Sequence, residues 1–261
     1  MSVGLDFLKG FQYRSKKTLV HTLDPRSKAV FVFTCTIITL MFYDPVPIIM
    51  VFLATLLVTI IARVVREWLA TLRGAMMISL IIFILNFVTV SESRLNYSLT
   101  MCLRFITLTS AFSILFLTTN PDDISLAALK LGIPYEYTLM FTMAMRFVPT
   151  LARDAQTIMD AQRSRGLELE KGNFIERLRR MLPILIPLVI YEIRRSMLIA
   201  EALESRAFGS VRKRTNLYDI SMTVNDWILT ILSLLLLTFL LSLHVLNLLP
   251  KWFYWKIPDP F

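Results

Sequence analysis

Apolar runs alternate with short polar breaks through the first half of the chain, a pattern that predicts a set of membrane helices. Residues 29–43 form the first run. "DPVP" (residues 44–47) ends it, because two prolines and an aspartate do not continue a helix. Residues 48–62 form the second run, and "RVVREWLATLR" (63–73) reads as a polar connection. Residues 75–90 form the third, "SESRLN" (91–96) a short loop, and residues 97–119 the fourth. The longest clean apolar stretch, residues 227–249, gives a fifth span and ends in "PKWFYWK". The first two runs sit at or below the short end of the spanning range, so either flanking residues extend the helices or the pair forms a short hairpin in thinned bilayer.

Between the fourth and fifth runs the pattern changes to amphipathic and charged, over residues 120–216. "TNPDDISLAALKLGIP" reads as one complete short helix. Asn120 caps it, Pro121 takes its first position, Asp122 and Asp123 face the positive end of the dipole, Lys130 the negative end, and Gly132 closes it. Pro134 then opens a helix running to Arg165, which Pro149 is expected to kink or split. Asn173 and Glu176 resemble a capping box for a third helix that reaches Arg206, with bends at Pro183 and Pro187. Its apolar core "LPILIPLVIY" is too short to span and suits an interfacial or buried helix. The resulting division is a segment 1–28, four spans in 29–119, a charged block 120–216, and a last span with an aromatic terminus in 217–261.

Composition agrees. The chain is 56% hydrophobic and 18% charged over 261 residues, which excludes an ordinary soluble domain. The fold class is therefore an all-α integral membrane protein in the lipid bilayer, with about five transmembrane helices and long amphipathic helices inserted before the last. The net charge of +9 points to cytoplasmic loops. No basic stripe interleaved with aromatics argues for a nucleic-acid partner. Twenty-four of the 28 basic residues fall in the first 28 residues, in 63–73 or in 120–216. The positive-inside rule places these segments in the cytoplasm. Five spans then leave the C-terminus outside, with Trp252, Phe253, Tyr254 and Trp255 as an outer aromatic belt. The first 28 residues carry no signal-peptide h-region, so no cleaved leader is expected.

Catalytic and cofactor chemistry finds little support. Cys35 and Cys102 lie inside apolar runs and read as small buried hydrophobes. His21 and His244 have no metal-ligand spacing, and neither a phosphate-cradling glycine loop nor a nucleophile elbow is present. No cofactor, metal or catalytic residue is assigned. Acids inside the predicted spans are essentially absent, so no proton relay is visible. Arg104 lies near the outer end of its span and is expected to snorkel outward, or else to meet a partner helix.

One phrase occurs twice. "MDAQRSRGLELE" (159–170) and "AEALESRAFG" (200–209) align acid over acid, Ala over Ala, Ser164 over Ser205, Arg165 over Arg206 and Gly166 over Ala207, with Gly209 just beyond. A single arginine before a glycine is ordinary helix capping. Two matched copies, each ending a long helix in one block, suit docking into two similar sockets. An arginine on a helix tip offers a fixed fork of donors, and a small residue after it permits close backbone approach. Six of the 13 methionines lie between Met140 and Met197, either as packing among these helices or as an adaptable surface for a second membrane protein.

Four stretches together resemble the transmembrane T component of energy-coupling factor (ECF) transporters, the CbiQ/EcfT/BioN group. They are "HTLDPRSK" (21–28), "TTNPDDISLAALKLGIP", "MRFVP" (145–149), and the pair "AQRSRG" and "ESRAFG". The two signatures depart from the family's Ala-Arg-Gly type, since a serine precedes each arginine and Ala207 replaces the second glycine. The resemblance implies a non-catalytic scaffold in the cell membrane. Two ABC-type ATPase subunits would receive Ser164, Arg165 and Gly166 in one groove, and Ser205, Arg206, Ala207 and Gly209 in the other. A separate S component, carrying a vitamin or transition-metal ion, would dock on the long helices, at Met140, Met143 and Phe147. Pro149, Pro183 and Pro187 would serve as hinges. The competing reading is a conventional ABC importer permease, whose Glu-Ala-Ala loop "EALESRAFG" resembles faintly, but that loop occurs once per subunit. A lipid-modifying enzyme would need acids or histidines clustered at one membrane face, whereas the acids here are spread through helices among basic neighbours.

Overall fold

A computed structural model describes residues 18–90, 93–167, 173–210 and 220–246, with Pro250 and Phe253. Among the described residues the regular elements are α-helices: α1 (Pro25–Met41), α2 (Pro45–Ala62), α3 (Val65–Thr89), α4 (Arg94–Thr118), α5 (Pro121–Lys130), α6 (Tyr135–Ser164), α7 (Phe174–Ser205) and α8 (Val224–Val245). Four of them, α2, α3, α4 and α8, are long and apolar enough to cross a membrane. The remaining apolar run is α1, a shorter helix of 17 residues with Arg26 and Lys28 in its first turn. The protein is all-α and built for a bilayer.

The helix starts follow local chemistry. Asp24 caps α1 by accepting the Arg26 N–H, and Pro25 takes the position where a missing N–H costs nothing. Pro45 opens α2 and Pro121 opens α5 in the same way, and the Asn120 side chain accepts from the Asp122 N–H. Gly132 beyond α5 is left-handed (φ 92°), as its position requires. Asn173 stands at the N-cap of α7 but makes no side-chain cap bond, so the capping box expected there is absent. The box forms instead at Thr223 and Asp226, at the start of α8.

Three expectations change. The stretch 63–73 is not a polar connection. Arg63 turns left-handed (φ 55°), its N–H and that of Val64 close α2, and α3 begins at once with Val65. Trp68 shows why the chain folds back so sharply. It is 3% exposed, and its indole N–H donates to Ser110 Oγ at 2.9 Å. Arg104 meets a partner helix instead of snorkelling. Its Nη2 donates to the Phe42 carbonyl at 2.6 Å and its guanidinium lies 4.9 Å from the Tyr43 ring centre, satisfying the C-terminal end of α1. Phe253 is buried against Phe42, not part of an outer belt. Trp252, Tyr254 and Trp255 lie outside the described residues, as do Lys9, Arg14, Lys16 and Lys17.

The described residues form two compact units. The first holds those up to Gly132 and from Ile220 onward, and the second runs from Ile133 to the end of α7 and beyond. The short helix α5 belongs to the first unit. There α1 packs on α8, α4, α2 and α5, and α4 packs on α2 and α3. Its apolar core joins Val32, Cys35 and Ile38 of α1 and Phe42 at its C-cap to Val51, Ala111 and Phe253. Hydroxyl side chains let α2 and α4 approach closely: Thr55 and Ser110 share a 2.8 Å hydrogen bond, and the Thr59 hydroxyl donates to the Thr55 carbonyl. In the second unit α6 and α7 pack on each other.

Candidate functional site

The two long helices α6 and α7 carry the repeated phrase at their ends. Both run through their prolines without a break, α6 through Pro149 and α7 through Pro183 and Pro187, so Pro149 does not split its helix. Three contacts fix their direction. Near one end Gln162 Nε2 donates to the Pro183 carbonyl at 3.2 Å; midway Arg195 Nη1 meets Asp154 Oδ2 at 2.7 Å; at the other end the Phe208 and Tyr135 rings stand 6.1 Å apart. The helices are antiparallel, and their C-terminal tips point to opposite ends of the pair. Thirty residues of α6 put the tips on the order of 45 Å apart.

The tips share one backbone design. In the first, the Gly166 N–H bonds the Arg163 carbonyl at 2.9 Å and the Leu167 N–H bonds the Gln162 carbonyl at 3.0 Å. In the second, the Ala207 N–H bonds the Glu204 carbonyl at 2.8 Å and the Phe208 N–H bonds the Leu203 carbonyl at 3.0 Å. This is the Schellman pattern in the same register twice, with Arg165 and Arg206 as the C-caps. Gly166 (φ 88°) and Ala207 (φ 59°) supply the left-handed residue, and Gly209 (φ 91°) adds a second left-handed turn after the latter.

The caps decide what the arginines are available for. Backbone N–H groups already occupy the Gln162 and Arg163 carbonyls of the first tip and the Leu203 and Glu204 carbonyls of the second, so neither arginine is needed to cap these. Both are exposed, and among the described residues neither guanidinium has an acidic partner or donates to a helix carbonyl. The serines point elsewhere: Ser164 Oγ donates to the Asp160 carbonyl and Ser205 Oγ to the Ala202 carbonyl, both at 3.0 Å. Each tip therefore carries an exposed arginine followed by a small left-handed residue, with the serine hydroxyl turned back onto its own helix.

Of the other sequence candidates, Met140, Met143 and Phe147 share one face of α6 by their spacing, Met140 exposed and the other two half-buried. Leu182, Leu185, Ile186, Val189 and Ile190 of α7 are also exposed. A crevice of about 430 Å³ opens where α6 and α7 meet, lined by Leu151, Leu188, Val189, Glu192, Ile193 and Ser196. Beside it Arg195 holds both Asp154 and Glu192 and lies over the Tyr191 ring. The hydrogen bond to Asp154 raises the arginine above its ordinary value and keeps it charged. Among the described residues no group of three or more His, Cys, Asp or Glu side chains is placed to hold a metal ion.

Sequence reasoning missed a buried polar anchor in the first unit. Asp226, 1% exposed at the start of α8, accepts from the Asp24 N–H (2.7 Å), the Ser27 hydroxyl (3.1 Å), and the Thr223 N–H (2.8 Å) and hydroxyl (2.6 Å). Lys28, 4% exposed, donates to the Thr118 carbonyl at 2.9 Å. The stretch "HTLDPRSK" is thus the knot that ties α1 to α4 and α8. The signal was available, since Thr223 and Asp226 have capping-box spacing just before an apolar run.

Comparison with known proteins gives a consistent answer. The family model CbiQ, described as cobalt transport protein, matches residues 16–217. The chain is 30% identical over 250 residues to the energy-coupling factor transporter transmembrane protein EcfT of Streptococcus thermophilus, covering 86% of this chain and 95% of that relative. It is 30% identical over 255 residues to EcfT of Lactococcus lactis subsp. cremoris, covering 89% and 96%. EcfT of Acidaminococcus fermentans is 29% identical over 231 residues, covering 80% and 86%.

Proposed function

The chain belongs to the CbiQ/EcfT family of energy-coupling factor transporter T components, and on that premise we propose that it is the coupling scaffold of an importer driven by two ABC-type ATPase subunits. One observation carries the reading: two arginine tips of the same backbone design, at opposite ends of an antiparallel helix pair. An antiparallel pair has an approximate two-fold relation between its ends, which matches a pair of identical or similar sockets. Arg165 enters the groove of one ATPase and Arg206 that of the other. Small residues at Gly166, Ala207 and Gly209 let the backbones come close.

The mechanism follows from stiffness. When the ATPases close on ATP the sockets move together, and each helix carries that displacement along its length. Pro149, Pro183 and Pro187 each remove one backbone hydrogen bond and so mark where the helices bend. The exposed apolar faces, with Met140, Met143 and Phe147 on α6, receive a membrane-embedded S component that holds a vitamin or transition-metal ion. ATP hydrolysis belongs to the partners, and this chain supplies no catalytic group. The positive-inside rule puts the N-terminus and the α6–α7 pair in the cytoplasm and the C-terminus outside.

Copurification stoichiometry tests the assignment. A T component gives one copy of this chain per two ATPases together with an S component. Two copies per two ATPases, without an S component, would identify a conventional permease instead.

A further inference from the structure

The side chain of Gln162 joins a docking tip of α6 to a proline turn of the opposite helix. Its backbone carbonyl accepts from the Leu167 N–H and the Arg165 N–H, so it anchors the turn that presents Arg165. Its side chain donates to the Pro183 carbonyl of α7 at 3.2 Å. That carbonyl has a particular need. In an α-helix it would bond the N–H four residues on, but that residue is Pro187, which has none.

We infer that Gln162 is a positioning residue: it supplies the donor that Pro187 withholds from the Pro183 carbonyl, and so locks the Arg165 tip to the proline turn of α7. The inference rests on the docking role proposed above and deepens it. A movement of the first socket reaches α7 through this bond at its most deformable turn, as well as through the length of α6. The second tip is braced differently, by the Phe208 ring on Tyr135, so the two tips are matched in backbone but not in how they grip the neighbouring helix. Gln162 touches no substrate and acts only by setting where Arg165 stands.

The geometry predicts a specific dependence between two residues. Pro187→Ala restores a backbone N–H to the Pro183 carbonyl and makes the Gln162 donor redundant. The test uses the assembled complex with its ATPases and S component, and reads amide hydrogen exchange at Gly166 and Leu167 alongside uptake per ATP hydrolysed. In the native background, Gln162→Met speeds exchange at both amides and lowers the coupling ratio by roughly three- to tenfold, the effect of one ordinary hydrogen bond. In the Pro187→Ala background, Gln162→Met changes neither further. Gln162→Lys, which keeps a donor, restores both. Equal effects of Gln162→Met in the two backgrounds, no effect in either, or loss of assembly in both would overturn the inference. A wrong docking assignment shows separately, as ATPases that stay bound after charge reversal at Arg165 and Arg206, while the exchange result at Gly166 and Leu167 stands on its own.

Discussion

Gly166 and Ala207 hold the same place at the ends of two different helices: each follows an arginine C-cap, each is left-handed, and each N–H closes the same ring onto the carbonyl three residues back. Only the side chain differs. A Cβ at Gly166 would meet nothing within 4 Å, so space does not forbid it; the backbone conformation does. Left-handed geometry costs a non-glycine residue about 1 kcal/mol. Gly166→Ala should therefore weaken the first tip, and Ala207→Gly should strengthen the second, each by about 1 kcal/mol. Amide exchange at Leu167 and Phe208 reads the two effects, which should have opposite signs.

Asp226 ties the start of α8 to the start of α1 in the first unit. Two donors converge on each of its carboxylate oxygens. Asp226→Ala leaves four donors without their acceptor and should cost about 3 kcal/mol or more, visible as a large drop in the thermal unfolding midpoint in detergent. Asp226→Asn keeps one acceptor oxygen but turns an NH₂ toward two donors, so it should lose nearly as much. A neutral Asp226→Asn would show that volume, not acceptor geometry, matters there.

The α6–α7 pair is held at its middle by Asp154 and Arg195, each side chain about one quarter exposed. Arg195 also reaches Glu192 and lies over Tyr191, a set of contacts only a planar fork makes. Asp154→Ala and Arg195→Ala should each lower ATP-coupled uptake, and the double substitution should be no worse than either alone. Arg195→Lys keeps the charge but should not recover full coupling. Additive losses in the double variant would mean that the pair does not act as one unit.

Acidity at the start of α5 gives a pH signature. Burial pushes the Asp123 carboxyl up; Lys28 opposes this, and Asp122 and Asp24 reinforce it. An acid whose folded value is raised binds its proton more tightly folded than unfolded. It favours the folded state below its unfolded value, and this contribution is lost as pH rises through the folded value. Asp123→Asn should therefore unfold at a higher temperature than the native chain at neutral pH, and the two should converge under acid conditions. A difference that grows on acidification would contradict the sign.

Much of this architecture was legible in the sequence because its signals are local. Proline at the first helical position, Asn120 before it and Gly132 after Lys130 located α5, and the ends of α6 and α7 were read to within a residue. The repeated phrase showed the two tips before any geometry did. What the sequence hid were contacts between distant segments. Nothing near residues 63–73 announces that Trp68 must reach Ser110, so a helix start reads as a polar connection. Arg104 looked solvent-seeking because its acceptor, the Phe42 carbonyl, belongs to a helix end sixty-two residues earlier. Asn173 had the capping spacing without the bond, while Thr223 and Asp226 had both.

The central claim is that Arg165 and Arg206 hold two ATPases. Its most direct test is a pull-down of the ATPase pair from membranes by the tagged chain carrying Arg165→Glu and Arg206→Glu together. The double charge reversal should release both ATPases and abolish uptake, while the chain remains folded in the membrane. An intact, active complex with both arginines reversed would contradict it.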